Sequence, residues 1–344
     1  MYNPIADWLV FLVSAAFVVA AGILVGRISG ELGERLGLGR AWAGAVLLSF
    51  ATTLPELVTT LTVSLRGAYG LALGGIIGSV IFNLFILVLV DVVDPDPLYN
   101  RLSKNHLATG LLGAALLGIV MTGLALGQSQ GHGLVSLGKR LLAVTPLAII
   151  VLYGVGQYVL FRMARQTFET GMSVPTVFSK ISFKKLSAIY VVTVGVIIVS
   201  ARGLGLSVER LADHYGLAAT FAGATMLGIV TSLPEITNAI ACSRHREYDL
   251  AVGNILGANA LVLVVLAVAD VLVMNRIFTA SIFSDAMSAL IMAGLAVVMQ
   301  AVALGALAVE SKEGFWRVSV ASIMLATLYG TSLFVSYKFS GQPN

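Results

Sequence analysis

Runs of about 20 apolar residues bounded by charged or turn-forming residues recur along the whole chain, and a helix of that length crosses a hydrocarbon core about 30 Å thick. They lie near 8–26, 41–65, 70–92, 107–127, 140–161, 186–204, 217–241, 249–273, 282–307 and 315–337. The pattern predicts an all-α polytopic membrane protein with ten transmembrane helices. A second pattern lies on top of the first. Sliding the chain over itself by 179 positions aligns Gly44 with Gly223, Thr52 with Thr231, Pro55 with Pro234, Glu56 with Glu235, Gly74 with Gly253 and Gly78 with Gly257, without a gap. Of the 41 residues from Ala43 to Asn83, 15 are identical to their partners, and shared Thr, Pro and Glu residues are not what low complexity in Ala, Leu and Gly produces.

Ten spans divided by a repeat give five helices per copy, an odd number, so the second copy enters the membrane from the opposite side. The chain is expected to form two inverted five-helix repeats, 1–165 and 186–344, joined by a cytoplasmic linker at 166–185, with the paired motifs at about 44–90 and 223–270. Inverted repeats whose helices break at corresponding positions are the architecture of secondary transporters, with the substrate near the midplane between the halves.

Composition agrees with the membrane reading: 58% of residues are hydrophobic and only 11% charged, with a mean hydropathy of +0.95. The net charge of +4 is small and its basic residues are scattered between apolar runs, which argues against nucleic-acid binding. Fourteen of the 21 Lys and Arg residues fall in one alternating set of loops, so that set is expected to be cytoplasmic and both termini to face outward. The single cysteine, Cys242, excludes an internal disulfide and any multi-cysteine metal site. Asp7 is the only charge before Arg27, so the first run lacks the basic start of a signal peptide and reads as a retained helix.

The polar interruptions carry the candidate chemistry. The stretches "ATTLPEL" (51–57) and "VTSLPEI" (230–236) each put a glutamate and a proline inside an apolar run. An acidic residue at a helix centre costs on the order of 3 kcal/mol, and a buried carboxylate needs a counter-charge, a proton or a metal. No Lys or Arg lies within the runs that carry Glu56 and Glu235, leaving a mobile cation or a proton. Proline has no N–H and clashes with the preceding turn, so carbonyls near Ala51, Thr52, Val230 and Thr231 should lose their helical partners and become ligands. Thr52 and Glu56 are four residues apart, on one helix face and about 6 Å apart along the axis, as are Thr231 and Glu235. Thr53 and Ser232 add hydroxyl oxygens. Two carboxylates with two carbonyls offer about six oxygens, a set suited to Ca2+, whereas Mg2+ tends to keep its waters and soft metals find no Cys or His.

Downstream, "GGIIGSVIFN" (74–83) and "GNILGANALV" (253–262) carry glycines at spacing four that admit a close helix neighbour. Ser79 and Asn83 share one face and could supply oxygen to an ion or make an ordinary interhelical hydrogen bond; the matching face of the second copy reads Asn254, Ala258 and Val262.

These motifs resemble the cation/Ca2+ exchanger superfamily, and within it the Na+/Ca2+ exchanger branch, whose two alpha-repeats carry Thr-Ser-Leu-Pro-Glu and Gly-Asn-x-x-Gly-Ser-Asn signatures. The resemblance is strong over 44–90 and 223–270. It implies an antiporter, not an enzyme, in which Glu56 and Glu235 bind Ca2+ alternately with Na+, helped by Thr52, Thr53, Ser79, Asn83, Thr231 and Ser232, with Asn254 a further candidate. No cofactor is implied; the partners are membrane lipid and inorganic cations, the unit a monomer, and the location a prokaryotic inner membrane. The chain departs from the pattern at Gly75, at Val80, at Ala258 where the family has serine, and at Val262 where it has an acid or amide. Several Na+ ligands are thereby missing, and two carboxylates suffice to exchange one divalent cation, Ca2+ or Mg2+, for two protons. Asp91 and Asp270, also matched at offset 179, sit at expected helix ends where interfacial water would solvate them.

Overall fold

The computed structural model describes residues 4–35, 49–93, 98–104, 106–128, 135–167, 178, 181–244, 246, 248–274, 276–280, 286–309, 314–315 and 318–339. The first part of the expected 41–65 span, including Gly44, and most of the 166–185 linker lie outside the described residues. The helices are α1 (Pro4–Arg35), α2 (Leu54–Leu65), α3 (Tyr69–Val93), α4 (His106–Gln128), α5 (Val135–Thr167), α6 (Phe183–Tyr215), α7 (Ala219–Thr231), α8 (Leu233–Arg244), α9 (Tyr248–Leu272), α10 (Arg276–Ala280), α11 (Ala286–Ala308) and α12 (Val320–Phe339). A 3-10 turn spans Leu98–Arg101, and Gly314–Phe315 pairs with Val318–Ser319 as a minimal antiparallel ribbon.

Eight of these helices are long and apolar enough to cross a membrane, and a ninth crossing results if α7 and α8, bent by 42° at Ser232, count as one. At 12 residues, α2 is too short to span by itself. Proline explains both breaks. Pro55 and Pro234 have no N–H to give the carbonyl four residues back, and the chain turns at Thr53 and at Ser232 before helix resumes. A proline is tolerated there because it falls in the first turn of the new helix, where its missing donor would have had no intrahelical partner.

α6 outruns its apolar run. Hydropathy falls at Arg202, yet the helix continues to Tyr215 because its charges find partners: Glu209 Oε2 accepts from Arg66 Nε at 2.5 Å, and Arg210 Nε lies 3.3 Å from Asp7 Oδ1. It stops where Gly216 adopts a left-handed conformation (φ 61°) and Leu217 donates back to the Ala212 carbonyl.

At the centre of the bundle stand α3 and α9, with 78% and 67% of their most apolar 18-residue stretches buried, against 17% for α5, which therefore turns most of its side chains outward. The glycines of α3 explain its depth. A Cβ on Gly78 would come within 2.5 Å of the Ala224 Cα, and one on Gly74 would collide with the Thr220 carbonyl, so α3 lies backbone to backbone against α7. There α7 widens into a five-residue π-helical stretch, Gly223–Leu227.

Asp91 and Asp270 are not solvated. Both are completely buried. Asp91 accepts from the Leu98 N–H (2.6 Å) and the Ser319 N–H (2.9 Å), while Asp270 accepts from the Ile277 (2.7 Å) and Phe278 (3.3 Å) N–H groups. Each aspartate reaches the amide seven residues ahead, and those amides are themselves related by the 179-residue offset. Each therefore anchors the chain as it leaves a central helix.

Gly78→Val should lower the thermal unfolding temperature in detergent by the equivalent of about 1–3 kcal/mol of overpacking, whereas Gly118→Ala, where a Cβ meets nothing within 4 Å, should leave it unchanged. Asp91→Asn should also destabilise, by about 1–3 kcal/mol, because an amide cannot accept from two backbone donors on opposite sides without turning its own N–H toward one of them.

Candidate ion site

The two proline breaks bring the paired motifs together. Glu56 opens α2 and Glu235 opens α8, and their side chains are 2% and 1% exposed. The pairing is crossed. Glu56 lies against Thr231 and Ser232 of the other repeat, with Ser232 Oγ donating to Glu56 Oε1 at 3.4 Å, and Glu235 lies against the Thr52 hydroxyl. The two carboxylates are near enough to repel each other directly. Helix breaks at Thr53 and at Ser232, three residues before each glutamate.

Hydroxyl direction decides what the neighbours can bind. Thr52 Oγ1 and Thr53 Oγ1 both donate to the Ser49 carbonyl, at 3.3 and 2.7 Å, and Thr231 Oγ1 donates to the Leu227 carbonyl at 2.9 Å. A hydroxyl that has given its one proton backward presents only lone pairs, as a cation ligand does. Ser79 of α3 joins this layer, its Oγ 3.4 Å from both Thr231 Oγ1 and the Gly228 carbonyl.

Two further candidates are tied to neighbours. Asn83 donates its amide N–H to Asn259 Oδ1 at 3.0 Å, and Asn259 in turn donates to the Val80 carbonyl at 3.3 Å, which fastens α3 to α9. Asn254 accepts from Ser49 Oγ at 3.3 Å. Thus Glu56, Glu235, Thr52, Thr231, Ser232 and Ser79 form one polar cluster; Thr53 lies beside it through their shared Ser49 carbonyl, and Asn83 and Asn254 adjoin it through other partners. Sequence reasoning missed Asn259 and Ser49. Asn259 matches Val80 at offset 179 and so stands one step off the Asn254–Ala258–Val262 face, but the offset itself signals that positions 80 and 259 meet between the two halves.

The unpartnered atoms carry the chemistry. Glu56 Oε2 and Glu235 Oε2 are buried and accept no hydrogen bond, and the same is true of Asn83 Oδ1. No Lys or Arg occurs in residues 49–65, 69–93, 219–243 or 248–272. Among the described residues no third Asp, Glu, His or Cys side chain joins the pair. Two buried carboxylates with bare oxygens and hydroxyl lone pairs around them form an oxygen-lined place for a hard cation.

Comparison with known proteins bears on the same segments. A family model described as sodium/calcium exchanger protein matches residues 6–163 and 185–338, one stretch in each half. The inner membrane protein YrbG of Escherichia coli (strain K12) is 31% identical over 223 residues, 63% of this chain and 64% of YrbG, so the match spans a little under two thirds of that relative. Among solved structures, the sodium-calcium exchanger NCX_Mj superposes with a TM-score of 0.60 at 17% identity over 96% of this chain and 99% of that one. The H+/Ca2+ exchanger CAX does so with 0.62 at 14% identity over 98% and 89%. At such identities the likeness is one of fold: an all-helical membrane protein built from two repeats. The match across both halves places the chain in the sodium/calcium exchanger protein family, as an integral membrane protein.

Proposed function

We propose that the protein exchanges Ca2+ for Na+ across the membrane by alternating access, with Glu56 and Glu235 as the shared carboxylates of one site and Thr52, Thr53, Thr231, Ser232, Ser79, Asn83 and Asn254 supplying neutral atoms around it. One observation carries this reading. The two carboxylates come from the two motifs related by the 179-residue offset, and each leaves an oxygen without a protein partner. Such a site cannot cross a low-dielectric barrier with both charges exposed, so it moves only when cations or protons neutralise it. Exchange follows from that condition: the empty charged carrier is held back, and the loaded carrier crosses in either direction.

The positive-inside count supports both termini outside the cytoplasm, and the E. coli relative YrbG, an inner membrane protein, supports a bacterial inner membrane. A second reading keeps the site and substitutes H+ for Na+, with Ca2+ or Mg2+ as the divalent ion. It is favoured by Ala258 and Val262, where the family pattern carries oxygen ligands, and by the CAX likeness, that protein being an H+/Ca2+ exchanger.

Reconstituted protein should take up 45Ca2+ when a Na+ gradient is imposed in the outward direction; uptake driven only by a pH gradient would select the second reading. Glu56→Gln and Glu235→Gln should each reduce uptake to background, since losing one partner of a buried ionic contact costs about 3–5 kcal/mol, more than a hundredfold in affinity. Wild-type rates in either variant would refute the shared site.

A further inference from the structure

We infer that the exchange is electroneutral, one divalent cation against two monovalent ones. This rests on the antiport reading above and adds what the site can hold at one time. The fixed charge available is two. Among the described residues Glu56 and Glu235 are its carboxylates, no third Asp, Glu, His or Cys joins them, and no Lys or Arg occurs in residues 49–65, 69–93, 219–243 or 248–272.

The other buried carboxylates are committed elsewhere. Asp91 lies eight residues beyond Asn83 on α3, about 12 Å along the axis, with both oxygens on backbone amides. Asp270 lies eleven residues beyond Asn259 on α9, about 16 Å away, with one oxygen held by the Ile277 and Phe278 amides. Asp7 faces Arg210 and Glu31 faces Arg35.

The repeats differ in neutral ligands at two positions. Ser79 brings its hydroxyl against Thr231 and the Gly228 carbonyl. Its mate at offset 179 is Ala258, completely buried, which brings none. Asn83 has one amide oxygen to offer, and its mate Val262, 1% exposed, offers hydrocarbon. At these two positions the first repeat brings oxygen and the second repeat brings methyl groups. A third monovalent cation would need a negative charge to offset its own, and among the described residues none joins the two glutamates. With one divalent or two monovalent ions aboard, the loaded site carries the same total charge in both directions, and no net charge crosses the membrane.

Protein in liposomes clamped at 0 and −100 mV by potassium and valinomycin would be loaded with 45Ca2+ under a fixed Na+ gradient and, separately, a fixed pH gradient. The plateau Ca2+ ratio should be equal at both potentials and should follow the square of the driving-ion ratio. A third monovalent ion would carry one net charge per cycle and shift the plateau about 50-fold over 100 mV; that shift, or a cubic dependence, would overturn the inference while leaving antiport intact. Absence of uptake under both gradients would instead remove the antiport reading and this inference with it.

Discussion

A carboxylate moved from water into a low-dielectric interior loses solvation worth several kcal/mol, and something nearby must replace it. Four of the described carboxylates find such a replacement within the protein, Asp270 through one of its two oxygens. Asp91 and Asp270 take backbone amides, Asp7 takes Arg210 and Glu31 takes Arg35. Glu56 and Glu235 differ. Each is buried with an oxygen bare and pressed against the other's repeat, and residues 49–65, 69–93, 219–243 and 248–272 hold no Lys or Arg. The replacement has to come from outside the chain, and that requirement turns a costly pair of residues into a condition for movement.

The rest of the bundle serves to hold this pair in register. Proline breaks two helices at equivalent places, so each glutamate starts a new helix while the preceding threonines turn their hydroxyl protons back on the turn above. Glycines at 74 and 78 let α3 press its backbone against α7, which carries Thr231 to Ser79 and Ser232 to Glu56. The Asn83–Asn259 hydrogen bond then pins the two central helices to each other where the halves meet. The aspartate anchors fix the chain as it leaves α3 and α9, beyond the ends of the same two helices. Rigid central helices with broken ones beside them are what a carrier needs if the ion site is to stay intact while access to it changes.

Much of this was legible in the amino-acid sequence because membrane burial leaves a coarse, periodic trace. The runs at 70–92, 107–127 and 249–273 correspond to α3, α4 and α9 within a residue at each end, and the 179-residue repeat identified both glutamates together with their threonines. Hydropathy failed where charges are paired instead of solvated: it ended the sixth run eleven residues before α6 ends, since Glu209 and Arg210 read as a boundary although Arg66 and Asp7 neutralise them. The same assumption assigned Asp91 and Asp270 to interfacial water, although the offset also matched the amides that bind them. Asn259 escaped because reading every fourth residue along α9 follows one face, and the face that meets α3 is turned one position away.

The asymmetry between the repeats has a physical consequence that the duplication conceals. The glutamates and their hydroxyl neighbours are kept in both copies, whereas Ser79 and Asn83 match Ala258 and Val262 and Asn254 matches Gly75 across the offset, so the site is symmetric in charge and asymmetric in where its other neutral oxygens sit. Equilibrium binding of Ca2+ to the purified protein is the most direct test of a single site shared by both halves. One Ca2+ per chain is expected in the wild type and none in Glu56→Gln or in Glu235→Gln. Two Ca2+ per chain, or one that survives the loss of either glutamate, would contradict it.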